Sequence, residues 1–180
     1  LDNVDIQYSL FSSVFGNTFN NCEFIIRCDN YIGDMPIFRH ISTSTYNNCK
    51  FIFEGNYINK GYPMIYIENG TFNNSRLIFN GNYSSDNNIL KITGGSFDAT
   101  SVIELQGKFK TTSTTLPAID INNSRLFLKG CDIITGGGYS IDSATPVNVT
   151  VKPGCASNVT TSANVTQLGT GIYVDPNFNN

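Results

Sequence analysis

Four stretches of this chain repeat one another around a pair of asparagines: Asn20-Asn21-Cys22-Glu23-Phe24-Ile25-Ile26, Asn47-Asn48-Cys49-Lys50-Phe51-Ile52-Phe53, Asn73-Asn74-Ser75-Arg76-Leu77-Ile78-Phe79 and Asn122-Asn123-Ser124-Arg125-Leu126-Phe127-Leu128. A degenerate copy, Ser101-Val102-Ile103-Glu104-Leu105, lies between the last two. Gly55, Gly81, Gly107 and Gly130 follow the repeated segments at spacings of 26, 26 and 23 residues. A unit that short cannot bury an apolar face alone, so recurrence at this period specifies a solenoid whose stacked units share one core.

Within each repeat apolar residues alternate at period two and are mostly β-branched or aromatic, which selects strands over helices. A second short strand precedes the next asparagine pair, as Met64-Ile65-Tyr66-Ile67, Ile89-Leu90-Lys91-Ile92, Ala118-Ile119-Asp120-Ile121 and, more weakly, Gly138-Tyr139-Ser140-Ile141. Pro36, Pro63 and Pro117 stand just ahead of such strands, where a missing N–H is tolerated. An aromatic recurs before the asparagines at Phe19, Tyr46 and Phe72, with Phe97 in the matching place. The expected fold is therefore all-β, a single-stranded parallel β-helix of about five to six turns stacked ~4.8 Å apart.

Three consequences follow from stacking. The asparagine pairs belong at corners, since asparagine tolerates left-handed backbone and its amide can bond the asparagine of the next turn. Phe24, Ile26, Phe51, Phe53, Leu77, Phe79, Ile103, Leu105, Leu126 and Leu128 should point inward as two parallel rows. Opposite charges should meet between turns, Glu23 with Lys50, Arg27 with Glu54 and Lys91 with Asp120, because like charges there would repel.

Residues 1–154 read as one β-helix domain, and 155–180 as a C-terminal cap or assembly tail that covers an otherwise open sheet end. The net charge of −3 gives no electrostatic reason to expect a nucleic-acid partner. With no apolar run of ~20 residues, membrane insertion is not expected. The chain begins at Leu1 without a signal-peptide pattern, which reads as a fragment or a processed product. Five cysteines are an odd number, and small stacked cysteines serve as core filler, so no disulfide framework is expected. Cys22 and Cys49 should stack. No His/Cys/Asp cluster has ligand spacing, so neither a metal nor another cofactor is expected.

The Asn-Asn-Cys/Ser repeats and the triplets Gly55-Asn56-Tyr57 and Gly81-Asn82-Tyr83 resemble the right-handed parallel β-helices of the pectin-lyase-like superfamily. The similarity is greatest to bacteriophage tail-spike and tail-associated proteins, and covers residues 14–154. It implies a right-handed coil, a polysaccharide or bacterial surface glycan as partner, and a place in a virion or on a cell surface. Polygalacturonases of that superfamily carry Asn-Thr-Asp, Gly-x-Asp-Asp, Gly-His-Gly and Arg-Ile-Lys, none of which occurs here. Glycoside hydrolysis needs two carboxylates about 5 Å or 6.5–9.5 Å apart. Glu68 and Asp120, the nearest to such a pair, fall about two turns apart, so no catalytic residue is assigned. A structural or glycan-binding module is the first reading, and a polysaccharide lyase or glycoside hydrolase the alternative.

The outward positions of the second strands supply a candidate carbohydrate-binding face: His40 (or Arg39, because that turn holds one extra residue), Tyr66, Lys91, Asp120 and Ser140. An aromatic ring can cover the apolar face of a sugar while flanking polar groups take its hydroxyls. A merely solvated face with ion pairs is the competing reading. Tyr31, Tyr57, Tyr83 and Phe109 track the core period and read as a packed corner stack. On the first strands Ile25, Ile52, Ile78 and Phe127 should point outward as an apolar row broken by Glu104, covered by the chain's own tail or by a neighbouring subunit. The tail-spike resemblance makes that oligomer a trimer.

Overall fold

The computed structural model describes residues 4–5, 11–13, 16–121, 126–143, 147–151 and 160–168. The strands β1 (Val4–Asp5) and β2 (Phe11–Ser13) open the chain, followed by β3 (Thr18–Asn20), β4 (Glu23–Gly33) and β5 (Phe38–His40). The same triplet recurs as β6 (Thr45–Asn47), β7 (Lys50–Asn59), β8 (Ile65–Ile67), then β9 (Thr71–Asn73), β10 (Arg76–Ser85), β11 (Leu90–Ile92), then β12 (Ser96–Phe97), β13 (Val102–Thr111), β14 (Ile119–Ile121). The chain continues through β15 (Leu126–Ile134), β16 (Ile141–Ser143), β17 (Val147–Val151) and β18 (Val165–Leu168).

Equivalent strands pair in parallel, giving an eight-stranded sheet from β1 through β4, β7, β10, β13, β15 and β17 to β18, a six-stranded sheet from β2 to β16 and a four-stranded sheet from β3 to β12. The described chain is a parallel β-solenoid of about five turns, with no helix. The register advances by 27 residues between the first two asparagine repeats and by 26 between the next two. Strand β18 lies in the expected tail and adds a rung to the eight-stranded sheet. Asn122 and Asn123, residues 152–159, which include Cys155, and residues 169–180 lie outside the described residues.

The core rows fall where alternation puts them. Phe24, Phe51, Leu77, Ile103 and Leu126 lie beside one another, as do Ile26, Phe53, Phe79, Leu105 and Leu128. All are buried except Phe24 and Ile26, which are half-buried in the first full rung and pack against the core. Aromatic stacks reinforce the rows: Phe19 on Tyr46 at 5.1 Å, Tyr46 on Phe72 at 5.1 Å and Phe72 on Phe97 at 4.5 Å between ring centroids. Such offset stacks add favourable contact beyond the area they bury.

The corners explain the repeated motif. Asn21, Asn48 and Asn74 adopt φ of 55°, 53° and 46°, a region asparagine enters more readily than other residues with a side chain. Their amides form a ladder, Asn48 donating to Asn21 at 3.2 Å and Asn74 to Asn48 at 2.7 Å. A second ladder runs from Asn73 to Asn47 at 2.9 Å and from Asn47 to Asn20 at 2.8 Å. The next residue turns inward: Ser75 Oγ donates to Tyr46 O at 3.0 Å and accepts from Cys49 N at 3.1 Å. Ser101 repeats this between Phe72 O and Ser75 N at 2.9 Å each, which is why a small residue, Cys or Ser, follows the pair. In the degenerate repeat Asp98 replaces the asparagines, accepting from Ser101 N at 2.7 Å and Asn74 N at 3.0 Å.

Two expectations change at the glycines. The strands do not stop at them: β7 and β10 run on to Asn59 and Ser85, bending at Gly55 and Gly81. The row also excludes Gly130. Gly107 pairs with Cys131, across an irregularity between Leu105 and Gly107 that shifts the later turn by one residue. Beyond the bend Tyr31, Tyr57, Tyr83 and Phe109 are buried inside the solenoid, and the Tyr83 hydroxyl donates to Phe53 O at 2.7 Å. They form the expected packed stack. Cys22 and Cys49 are free thiols on adjacent rungs.

Candidate functional site

In the six-stranded sheet β5, β8, β11, β14 and β16 each have three residues, the outer two buried and the middle one half-exposed. With side chains alternating across so short a strand, only the middle residue can face solvent. The register therefore builds one outward row: Arg39, Tyr66, Lys91, Asp120 and Asp142. Tyr66, Lys91 and Asp120 stand where the sequence placed them.

His40 does not. It pairs with Ile67 in an inward row and is fully buried, leaving Arg39 as the outward residue of that turn. Ser140 is likewise buried, and Asp142 takes the outward position beside Asp120 because β16 begins only at Ile141. For His40 the displacement is one residue, which exchanges core for surface; Ser140 is displaced by two and takes the buried place ahead of β16 that Ala118 holds ahead of β14.

The row has defined electrostatics. The Tyr66 hydroxyl donates to Glu68 Oε1 at 2.7 Å, which anchors the ring; partial burial and that carboxylate hold the phenol above its ordinary range. Lys91 Nζ lies 3.7 Å from Asp120 Oδ2. Burial raises the Asp120 carboxyl above the usual range, opposed by Lys91 and assisted by Asp142. Two carboxylates thus share adjacent rungs about 4.8 Å apart, a pairing the sequence reading missed through its choice of Ser140. Among the described residues no group of three or more His, Cys, Asp or Glu side chains is placed to hold a metal.

Buried His40 is a stability element with its own chemistry. Its Nδ1 donates to Asn69 O at 2.8 Å, its ring lies among Phe38, Tyr46 and Phe72, and Nε2 is buried with no hydrogen-bond partner. Gly70, at φ +106°, leaves the room the ring needs, since a Cβ there would come 2.6 Å from His40 Cε1. Protonation would bury an uncompensated charge, so burial lowers the imidazole below 6.5, against the opposing pull of Asn69 O. The unfolded chain then takes up the proton more readily than the folded one. This contribution is complete above the unfolded value and is lost as pH falls below it, by up to about 1.4 kcal/mol per pH unit until the folded form protonates. Thermal midpoints measured between about pH 8 and pH 5 should fall more steeply for the wild type than for His40→Gln. Parallel curves would remove His40 from the acid response.

The expected apolar row on the first strands is in register, Ile25 beside Ile52 and Ile52 beside Ile78. Ile25 is 45% exposed, Ile52 and Ile78 are half-buried, and Glu104 is buried next in the row, ion-paired with Arg76. The backbone of Phe127 follows Glu104 in register, but its side chain lies outside the described residues. The charge pairs expected between rungs are present, Lys50 with Glu23 at 3.0 Å and Arg27 with Glu54 at 2.6 Å. Such exposed pairs fix register more than they stabilise. No protein-family model, curated protein or solved structure matches this chain, and what is established of it is an architecture: an all-β parallel solenoid of about five turns.

Proposed function

We propose that this solenoid is a glycan-binding structural module of an extracellular or virion assembly, with the row Arg39, Tyr66, Lys91, Asp120 and Asp142 as its binding face. The observation that carries the reading is the spacing of that row. A polysaccharide laid across the rungs meets a new side chain about every 4.8 Å, close to the length of one sugar ring. Tyr66 offers a ring face held in place by Glu68, and its neighbours offer donors and acceptors of both charge signs to hydroxyl groups. The resemblance to pectin-lyase-like helices supports carbohydrate as the ligand class, and to tail spikes a virion or cell-surface location. A right-handed coil and the threefold assembly belong to that same resemblance.

Tyr66→Ala should abolish binding on an array of bacterial surface polysaccharides while leaving the far-UV dichroism of a β-solenoid unchanged. Equal binding by wild type and variant would return the row to an ordinary solvated face. A second reading, glycoside hydrolysis, is favoured by one specific observation, the Asp120 and Asp142 carboxylates on adjacent rungs with Asp120 raised. Strand spacing puts them near the ~5 Å separation of the retaining mechanism. Reducing ends released from any bound polysaccharide would move the assignment from binding to hydrolysis.

A further inference from the structure

We propose that the glycan taken by the row Arg39, Tyr66, Lys91, Asp120 and Asp142 is zwitterionic, with an acidic sugar lying over Tyr66 and a free amino group farther along the chain over Asp120 and Asp142. This rests on the glycan reading of that row and names the class of chain it selects.

The charges of the row are segregated. On the eight-stranded sheet opposite signs meet between rungs and cancel locally, Glu23 with Lys50 and Arg27 with Glu54. On the six-stranded sheet the register instead groups Arg39 and Lys91, one on each side of Tyr66, in one half of the row and Asp120 and Asp142 in the other. The halves meet at the 3.7 Å contact of Lys91 with Asp120. Among the described residues neither Arg39 nor Asp142 has an ion pair, so each half keeps a charge for a ligand. Glu68 adds a carboxylate beside the basic half, but its Oε1 accepts from the Tyr66 hydroxyl at 2.7 Å and so holds the ring between the two cations.

The acidic half calls for a cation. Like charges opposite one another on neighbouring strands are destabilising, and burial together with Asp142 holds the Asp120 carboxyl above its usual range. Lys91 answers Asp120 from one side only, because β14 lies between β11 and β16. A positive group laid between Asp120 and Asp142 removes the repulsion. Among the described residues no third His, Cys, Asp or Glu side chain joins the pair as a metal site would need. The group that fits is an ammonium, one charge with three hydrogen-bond donors.

Spacing converts this charge pattern into selection. Arg39 and Lys91 stand one rung to either side of Tyr66, so a carboxylate on the sugar over the ring lies between two cations. Rungs ~4.8 Å apart put the middle of the acidic pair about 12 Å from Tyr66, which is about two to three sugars along a chain that advances one sugar per rung. A chain carrying only carboxylates brings like charge within a Debye length, about 8 Å, of Asp120 and Asp142. One carrying only amines does the same to Arg39 and Lys91, and a neutral chain answers neither half. Specificity then comes from repelling the wrong chains as well as from holding the right one.

The test places the 180-residue chain on an array of neutral, acidic, basic and zwitterionic bacterial polysaccharides, with Tyr66→Ala identifying binding at the row. Tyr66-dependent binding should fall on the zwitterionic chains and weaken as salt is added. N-acetylation of a bound chain, which removes its ammonium, and amidation of its carboxylates should each lower affinity at least about tenfold, the loss of one hydrogen-bonded charge. Asp142→Asn should shrink the effect of N-acetylation and Arg39→Gln that of amidation, both with far-UV dichroism unchanged. Unchanged affinity after either modification, or Tyr66-dependent binding as tight to a neutral or singly charged chain, would overturn the zwitterionic ligand and leave the glycan reading standing. No Tyr66-dependent binding to any chain would overturn both.

Discussion

Phe53→Ala is expected to destabilise the solenoid by about 3–5 kcal/mol, lowering the thermal midpoint on the order of 10 °C for a chain of this size. Phe53 is completely buried, stacked on Phe79 at 4.9 Å between centroids and set edge-on to Phe38 at 5.5 Å. Its neighbours belong to rungs held by backbone ladders on both sides, so the cavity left by the ring cannot readily collapse, and the loss approaches the full transfer and cavity cost. Ile58→Ala on the outer surface of the same strand, 43% exposed, should change stability by about 0.5 kcal/mol or less. Urea unfolding of the two variants reads the difference directly; similar midpoints would contradict the inward assignment of Phe53.

Gly81→Ala should be comparably damaging for a reason unrelated to burial of apolar area. Gly81 has φ +144°, and a Cβ there would stand 2.0 Å from the carbonyl oxygen of Gly55 on the rung before it. The obstacle is backbone, fixed by the parallel ladder, so the rungs would have to separate. Backbone strain and steric overlap together suggest a cost of about 2–6 kcal/mol. Gly61→Ala is the internal comparison. Gly61 also has a positive φ, +89°, but nothing lies within 4 Å of its added Cβ, which leaves only the left-handed penalty of about 1–2 kcal/mol. If both alanine variants unfold at the same denaturant concentration, close contact between stacked glycines is not what confines the bend to glycine.

These two substitutions also mark how far the sequence could be read. The inward rows, the asparagine ladders and the ion pairs of Glu23 with Lys50, Arg27 with Glu54 and Lys91 with Asp120 were all legible. Period-two alternation encodes the face of each side chain locally, and the repeat encodes which residues become neighbours. Both signals are carried by adjacent residues and need no knowledge of the rest of the fold. Gly81 was legible as a repeated position but not as a bend, because its constraint comes from Gly55 on another rung.

The candidate site was legible only in its middle. Tyr66, Lys91 and Asp120 each stand in the middle of a strand legible from its apolar flanks, Ile65–Ile67, Leu90–Ile92 and Ile119–Ile121, whereas His40 follows a turn with one extra residue and Ser140 precedes the strand that begins at Ile141. Repetition cannot say in which corner a residue is added or lost, and a displacement of one position exchanges core for surface. Packing decided both cases. His40 is accommodated inside by the space that Gly70 leaves and by Asn69 O, and Arg39 is turned to solvent. The pairing of Ile119 with Ile141 buries Ser140 and Ser143 and brings Asp142 beside Asp120. Local alternation thus determined the rungs, while the contacts between rungs alone determined how corners of unequal length set the register, because only there does the cost of burying the wrong side chain act.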